Sequence, residues 1–150
     1  MVFCNGTHDR HFRPDSWQKT YRTKPGPRTL SLKIRMEQGH SPAGDPAEIT
    51  VYADSFLRGG TPLARVLNQG RVNARAWATY SASDPLTKVE LVYTKDSGDW
   101  IAREWLANPV ALTRGVDRVE ATIRSGTTAY YFNLTYTRDC IVSTEHEEIK

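Results

Sequence analysis

The spacing of apolar residues changes once along this chain, near residue 61, and this change limits the folds open to it. Before it, short apolar runs alternate with segments whose apolar residues lie three or four positions apart. After it, apolar and polar residues alternate one by one, as in strands with one buried face. The sequence therefore predicts two domains, residues 1–61 with strands and helices and residues 62–150 with strands alone.

The first domain is predicted to run strand, helix, strand, helix. Residues 2–4 form a continuous apolar run, which is typical of a strand covered on both faces in a parallel sheet. Residues 29–35 alternate and predict a second strand. One helix is expected to begin at Pro14. Another is expected to be capped by Asp45 and to bury a stripe made of Ile49, Ala53, Phe56 and Leu57.

The second domain is predicted to be an antiparallel β-sandwich of the immunoglobulin or fibronectin kind, because short strands follow one another between turns rich in Gly, Pro, Asp and Asn. The expected fold class is thus α/β plus all-β: two strands and two helices of an α/β sheet, then a sandwich. Its strands are expected within residues 71–80, 88–94, 119–123, 129–136 and 141–144.

Charge and hydropathy exclude several classes of partner. The chain carries a net charge of +3. This excess is not gathered into a basic stripe, so nucleic acid is not expected as a partner. No apolar run approaches the roughly 20 residues of a membrane span, and no signal-peptide pattern is visible, so no membrane is expected either. The compartment stays open, and a periplasmic or secreted location of a longer protein is compatible with the sequence.

Two residues are candidates for chemistry because each follows the carboxyl end of a predicted parallel strand. Asp9 follows the first strand and His40 the second, and open α/β sheets place catalytic groups at this edge. An imidazole can take a proton from a nucleophile near neutral pH, while a carboxylate fixes its tautomer. An acid followed by a histidine is also the order of the last two triad members in α/β-hydrolases.

Two short motifs lie in the stretch CNGTHDRHFRPDSWQKTYRTKPGPRTLSLKIRMEQGH. Residues 6–9 fit the pattern G-T-x-D, and residues 39–40 fit G-H. With them the chain resembles the closing part of an α/β-hydrolase, most of all bacterial serine esterases of the acetylxylan esterase and dienelactone hydrolase-like group, which are related to prolyl oligopeptidase catalytic domains. The later segments GDWIAREW and AYYFNLTYTRDCIVSTEHEEIK are similar to a β-sandwich that follows this domain in some relatives.

This resemblance implies that Asp9 is the catalytic acid and His40 the catalytic base of a carboxylic ester hydrolase. It implies a small acyl ester or an acetylated carbohydrate as substrate, and no cofactor. The nucleophile motif G-x-S-x-G is absent from the sequence, and loss of the nucleophile costs on the order of a millionfold in turnover. The chain alone is expected to be inactive, as the C-terminal portion of a serine hydrolase whose partner is a missing N-terminal half or a second copy.

Other interpretations stay open at this point. The chain could instead be a non-enzymatic β-sandwich that binds a carbohydrate or a protein. Asp9 could be a turn residue that accepts backbone hydrogen bonds. His8 and His11 flank it, but zinc needs three or four ligands, so no metal is expected. Cys4 and Cys140 are expected to be buried thiols. Core packing rather than a sugar-stacking platform is expected for the aromatic residues Trp77, Trp100, Trp105, Tyr130, Tyr131, Phe132 and Tyr136.

Overall fold

The computed structural model describes residues 1–39, 45–113 and 115–149. In the described part, neither helix is long and apolar enough to cross a membrane. A short 3₁₀ turn covers Trp100–Ala102. The elements follow the chain as β1 (Val2–Gly6), α1 (Pro14–Arg22), β2 (Thr29–Lys33), α2 (Ala47–Leu57), β3 (Arg65–Val72), β4 (Arg75–Ser81), β5 (Leu86–Thr94), β6 (Leu106–Pro109), β7 (Arg118–Thr122), β8 (Ala129–Tyr136), β9 (Ile141–Ser143) and β10 (Glu147–Glu148).

The strands form two sheets. The large sheet has the order β1-β2-β9-β8-β5-β6, with β10 paired to β8, and the small sheet has the order β3-β4-β7. Among the described strands, β1 and β2 are the only parallel pair, and every other pair is antiparallel. One face of the large sheet packs against the small sheet, and the other face is covered in part by α1.

The expected fold class, an α/β part followed by a separate all-β sandwich, is wrong. The molecule is mostly β, and its two parallel strands are continuous with antiparallel strands in one mixed sheet. Strand β2 was expected to belong to an α/β sheet, but it pairs on one side, antiparallel, with β9 from the far end of the sequence. Periodicity shows which face of a strand is buried but not which strand lies beside it, and for this reason the sequence pattern could not reveal the pairing.

A buried side-chain network holds β2 to its unexpected neighbour. The register joins β2 and β9 through one residue pair, and side-chain hydrogen bonds add to it. The amide of Leu32 donates to Ser143 Oγ at 2.8 Å, and that hydroxyl donates to Asn133 Oδ1 at 2.6 Å. Asn133 Nδ2 returns a hydrogen bond to the Leu32 carbonyl at 3.3 Å. The large sheet therefore contains strands from both sides of the predicted boundary between residues 61 and 62, and the division into two domains stays a prediction.

Both faces of β8 are buried, and this explains its dense aromatic sequence. Tyr130, Phe132 and Leu134 pack between the sheets, while Tyr131 points to the opposite face, where Trp105 lies against it with ring centroids 5.5 Å apart. The expectation that these aromatic residues fill the core is correct for β8. The exception among the named aromatics is Trp77, which lies partly exposed on the small sheet.

Helix α1 begins at Pro14 as predicted and buries Trp17 and Tyr21. Helix α2 differs from its prediction. It begins at Ala47 after an N-cap formed by Pro46, without a side-chain cap from Asp45. Two residues of the predicted apolar stripe are not buried, since Phe56 is 72% exposed and Leu57 is 81% exposed. The buried side chain of this helix is instead Glu48.

Candidate functional site

A tight turn follows β1 and fixes the position of Asp9. The Asp9 amide donates to the Gly6 carbonyl at 3.2 Å, which closes the turn. Asp9 as a whole residue is 8% exposed, and its Oδ1 accepts from the backbone N–H groups of His11 and Phe12, both at 2.8 Å. Two charge-assisted hydrogen bonds from the backbone leave this carboxylate one orientation. The turn role considered from the sequence is therefore present in the structure.

The second carboxylate oxygen of Asp9, Oδ2, differs from Oδ1 in its hydrogen bonding. Within the described ranges, no hydrogen bond reaches it. A carboxylate anchored through one oxygen can still accept a hydrogen bond through the other. The turn role and the role of a catalytic acid therefore do not compete for the same atom.

The loop after β2 lies directly across the Asp9 turn. The Thr7 amide donates to the Lys33 carbonyl at 3.0 Å, and the His8 amide donates to the Met36 carbonyl at 3.3 Å. Thr7 Oγ1 accepts from the Arg35 amide at 2.8 Å. These bonds hold the two loops side by side at the carboxyl end of the parallel pair.

Glycine is required at position 6 because the two loops meet there. A Cβ atom on Gly6 would lie 1.8 Å from the Met36 carbonyl oxygen, far inside any real contact. Asn5, one residue earlier, donates from Nδ2 to the Phe12 carbonyl at 2.6 Å and closes the loop from the other side. Local packing thus accounts for the first two positions of the G-T-x-D pattern: glycine for space, and threonine for the bond to the neighbouring loop.

His40 lies outside the described residues, so its distance from Asp9 stays a prediction. The loop that leads to it is described as far as Gly39. Between this loop and the Asp9 turn lies a small pocket of about 90 Å³, lined by Arg10, His11, Glu37 and Gln38. The described part of the chain thus places the approach to His40 beside the Asp9 turn.

The remaining candidates near the turn are not arranged for chemistry in the described residues. His8 Nδ1 lies 3.0 Å from Thr7 Oγ1, and His11 is exposed. No group of three or more His, Cys, Asp or Glu side chains within residues 1–39, 45–113 and 115–149 could hold a metal ion. Cys4 is partly buried and Cys140 is buried, both as free thiols. Burial raises the pKa of Cys4 to about 12 and also raises that of Cys140, so neither thiol is activated as a nucleophile.

A second polar cluster was not singled out from the sequence. Glu145 forms ion pairs with Arg22 and Arg28. These partners are 123 and 117 residues apart in the sequence. No local motif brings them together, so only the strand pairing could have shown that they meet.

Comparisons with protein-family models, with curated proteins and with solved structures gave no match. The likeness to serine esterases drawn from residues 3–60 is neither strengthened nor weakened by this result. It stays a prediction.

Proposed function

We propose that this chain is the C-terminal portion of a serine hydrolase that cleaves carboxylic esters, with Asp9 as the catalytic acid and His40 as the catalytic base. One observation carries the proposal. The loop that holds Asp9 and the loop that leads to His40 are bonded to each other at the carboxyl end of β1 and β2. The resemblance in the G-T-x-D and G-H motifs supports the same assignment.

The proposed chemistry needs a serine that these 150 residues do not place in a G-x-S-x-G motif. His40 would take the proton of that serine while its oxygen attacks the acyl carbon, and would then return the proton to the departing alcohol. In the second half of the reaction, His40 would take a proton from water as the water oxygen attacks the acyl carbon, and would return it to the serine oxygen as the acid leaves. A small acyl ester or an acetylated carbohydrate is the proposed substrate class, and a missing N-terminal half or a second copy is the proposed partner.

Asp9 suits the role of the acid because its position is fixed before any substrate arrives. Two backbone N–H groups hold Oδ1, and a preset carboxylate can hold an imidazole in one tautomer without reorganising. Substitution of Asp9 by Asn keeps an oxygen for these N–H groups but removes the charge. This variant therefore separates the proposed catalytic role from the turn role.

The proposal can be tested in the isolated chain by NMR of its histidine side chains. If Asp9 accepts from the His40 ring, the Nδ1 proton of His40 gives a strongly downfield signal that moves upfield in Asp9→Asn. The signals of His146 and His11 serve as internal controls and stay unchanged. A His40 ring that is indifferent to Asp9→Asn overturns the pairing.

Activity gives the second test. The isolated chain is expected to hydrolyse p-nitrophenyl acetate no faster than free imidazole. A longer protein that includes the serine is expected to lose on the order of 10⁴-fold in kcat with Asp9→Asn. Turnover by the isolated chain, or a longer protein unaffected by Asp9→Asn, would contradict the proposal.

A binding module is the second candidate function, and one observation favours it. A polar cleft lies at the opposite end of β2 from Asp9, where Thr29 and Leu30 form part of its wall. A carbohydrate or protein partner was expected for such a module.

A further inference from the structure

A cleft of about 460 Å³ lies between the segment α1–β2 on one side and strand β3 on the other. This volume is within the range of roughly 300–1,000 Å³ that is usual for small-molecule sites. Its lining is mostly polar, and Leu30 and Val142 lie at its base, where both are almost fully buried. The charged residues that line the cleft are Arg22, Arg28 and Glu145.

The side chains that line the cleft carry one more positive charge than negative charge. Arg22 donates from Nε and Nη2 to one oxygen of Glu145, at 2.9 and 2.5 Å. Arg28 donates from Nη2 to the other oxygen at 3.1 Å. Two guanidinium groups against one carboxylate, 2 − 1, leave a net charge of +1 on the groups lining the cleft. A ligand with one negative charge would balance it.

Both arginines keep N–H groups available beside this charge. Arg28 donates from Nη1 to the Tyr21 carbonyl at 3.2 Å, and its guanidinium carbon lies 5.5 Å from the Tyr21 ring centroid. These two contacts with Tyr21 hold the guanidinium group in place. The described residues supply no acceptor for Arg22 Nη1 or Arg28 Nε. Each arginine therefore keeps one nitrogen that can donate to the oxygens of an anionic ligand.

The backbone that carries Glu145 is held independently of its charge. The Glu145 amide donates to Gln69 Oε1 at 2.8 Å, and Gln69 Nε2 donates to the Glu145 carbonyl at 3.0 Å. This amide clamp joins β3 to the segment after β9. Glu145 can therefore lose its carboxylate charge while its backbone keeps the same partners.

The opposite wall offers neutral hydrogen-bonding groups. Strand β3 has a register shift between Val66 and Asn68, and Leu67, which lies in this bulge, has no partner in the ladder with β4. Leu67 is 60% exposed on the rim. A bulge frees backbone N–H and C=O groups from the ladder, and the Asn68 amide lies beside them on the same wall.

We propose that this cleft binds a small monocarboxylate that also carries hydroxyl groups, of the size of a sugar acid. The surplus guanidinium charge would take the carboxylate, and the bulge backbone with Asn68 would take the hydroxyls. Leu30 and Val142 would contact the apolar face of the ligand ring. This site is separate from the Asp9 turn, so it does not depend on the proposed esterase function.

The first test is an NMR titration of the full chain with sodium D-glucuronate at low salt, followed through backbone amides. The expected result is saturable shifts at Leu67, Asn68 and Glu145, which weaken as NaCl is added. D-glucose lacks the charge and acetate lacks the hydroxyls, so each is expected to bind at least tenfold more weakly. Shifts absent at these residues, or equal affinity for glucose and glucuronate, would overturn the proposal.

Charge variants give the second test, because the proposal predicts opposite signs for them. Arg22→Gln brings the charge of the cleft to zero and is expected to weaken glucuronate binding about tenfold. Glu145→Gln raises it to +2 and is expected to tighten binding severalfold, and the double variant is expected to return close to the affinity of the unchanged chain. Arg58→Gln, at the exposed C-terminal end of α2, is the control and should change nothing. Weaker binding in Glu145→Gln, with an unchanged urea midpoint, would contradict the proposed role of the charge.

Discussion

Single residues explain why the β1 turn has its sequence. Asp9 accepts from the N–H groups of His11 and Phe12, and Gly6 and Thr7 fit the loop after β2. This stabilising role is visible without any reaction. Substitutions in the motif are therefore expected to destabilise the fold whether or not the chain takes part in a reaction.

The turn predicts a difference between two variants of Asp9. Asp9→Ala leaves the N–H groups of His11 and Phe12 without an acceptor, and the free energy of unfolding should fall by about 1–2 kcal/mol. Asp9→Asn retains an acceptor oxygen and should cost less than half of that. Urea unfolding followed by circular dichroism at pH 7 measures both. Equal losses in the two variants would contradict the role given to Oδ1.

His146 is the residue with the clearest pH dependence. Its ring is 3% exposed, meets Trp100 edge-on at 5.2 Å between centroids, and has no hydrogen-bond partner for either nitrogen among the described groups. The pKa of His146 is lowered to about 4, mainly by burial. The guanidinium groups of Arg22 and Arg103 contribute to this lowering of the pKa, and Asp15 opposes it.

The lowered pKa of His146 predicts acid destabilisation. Above its unfolded pKa of about 6.5, the ring is neutral in both states and stability is complete. As pH falls from about 6.5 to 4, the unfolded chain takes up the proton and the folded chain does not, so the free energy of unfolding from this group falls by about 3 kcal/mol. Urea midpoints measured across this range should show the slope. His146→Phe should lose it and exposed His11→Gln should keep it; a slope that survives in His146→Phe would rule out this histidine as the cause.

Among the elements, α2 is tied to the large sheet by one buried acid, beside the apolar contacts of the half-buried Val51 and Tyr52. Glu48 is fully buried, with Oε2 2.8 Å from Lys33 Nζ on β2 and Oε1 accepting from the Ile141 amide on β9 at 2.8 Å. The exposed apolar residues of this helix contribute little to its docking. A carboxylate that joins a helix to two strands cannot be recognised from the helical pattern, since that pattern marks Glu48 as a polar position.

Removing the Glu48 charge should therefore loosen α2. Glu48→Gln leaves the Lys33 ammonium without its partner, and a loss of about 2–3 kcal/mol in the free energy of unfolding is expected, below the usual range for a buried pair because Lys33 is partly exposed. Asp54→Asn, in an exposed pair with Arg58 on the same helix, is the matched control and should cost less than about 0.5 kcal/mol. Thermal or urea unfolding separates the two. Similar losses in the free energy of unfolding from both variants would show that burial of the Glu48–Lys33 pair does not increase its contribution to stability.

The contact between β2 and β9 predicts an effect for one hydroxyl. Ser143→Ala leaves the Leu32 amide and Asn133 Oδ1 buried without their bonds, and a loss of about 2–3 kcal/mol is expected in urea unfolding. Ser125→Ala removes a similar hydroxyl from an exposed turn and should be neutral. A neutral Ser143→Ala would mean that backbone pairing alone holds these strands.

For the whole molecule, the sequence predicted where helices and strands lie better than it predicted which strands pair with each other. The start of α1 at Pro14 and the burial of β8 follow from local patterns, and both are correct. The run over residues 71–80 was taken as one strand, but the chain reverses at Asn73, which has φ +54°, so that β3 ends and β4 begins within it. A change of direction at one residue leaves the alternation intact, and the pattern does not show it.

Contacts between residues far apart in the sequence are the other feature that could not be predicted from it. The pairing of β2 with β9, the hydrogen bond between Glu48 and the Ile141 amide, and the Arg22–Glu145 pair all join residues that are far apart along the chain. None of them leaves a local signature. The position of Asp9 at the end of β1 could be predicted because it depends on one strand, whereas the cleft around Glu145 could not because it needs four segments.

Amide hydrogen exchange tests the central claim most directly: that the parallel pair carrying the Asp9 turn belongs to the same cooperative sheet as the central strand β8. The Leu32 amide on β2 and the Phe132 amide on β8 both donate to buried hydroxyls. The predicted result is that the two amides exchange with the same free energy, that of global unfolding. Exchange at Leu32 that is about 100-fold faster than at Phe132, a difference of about 2.8 kcal/mol, would show that β1 and β2 open separately and would contradict the account.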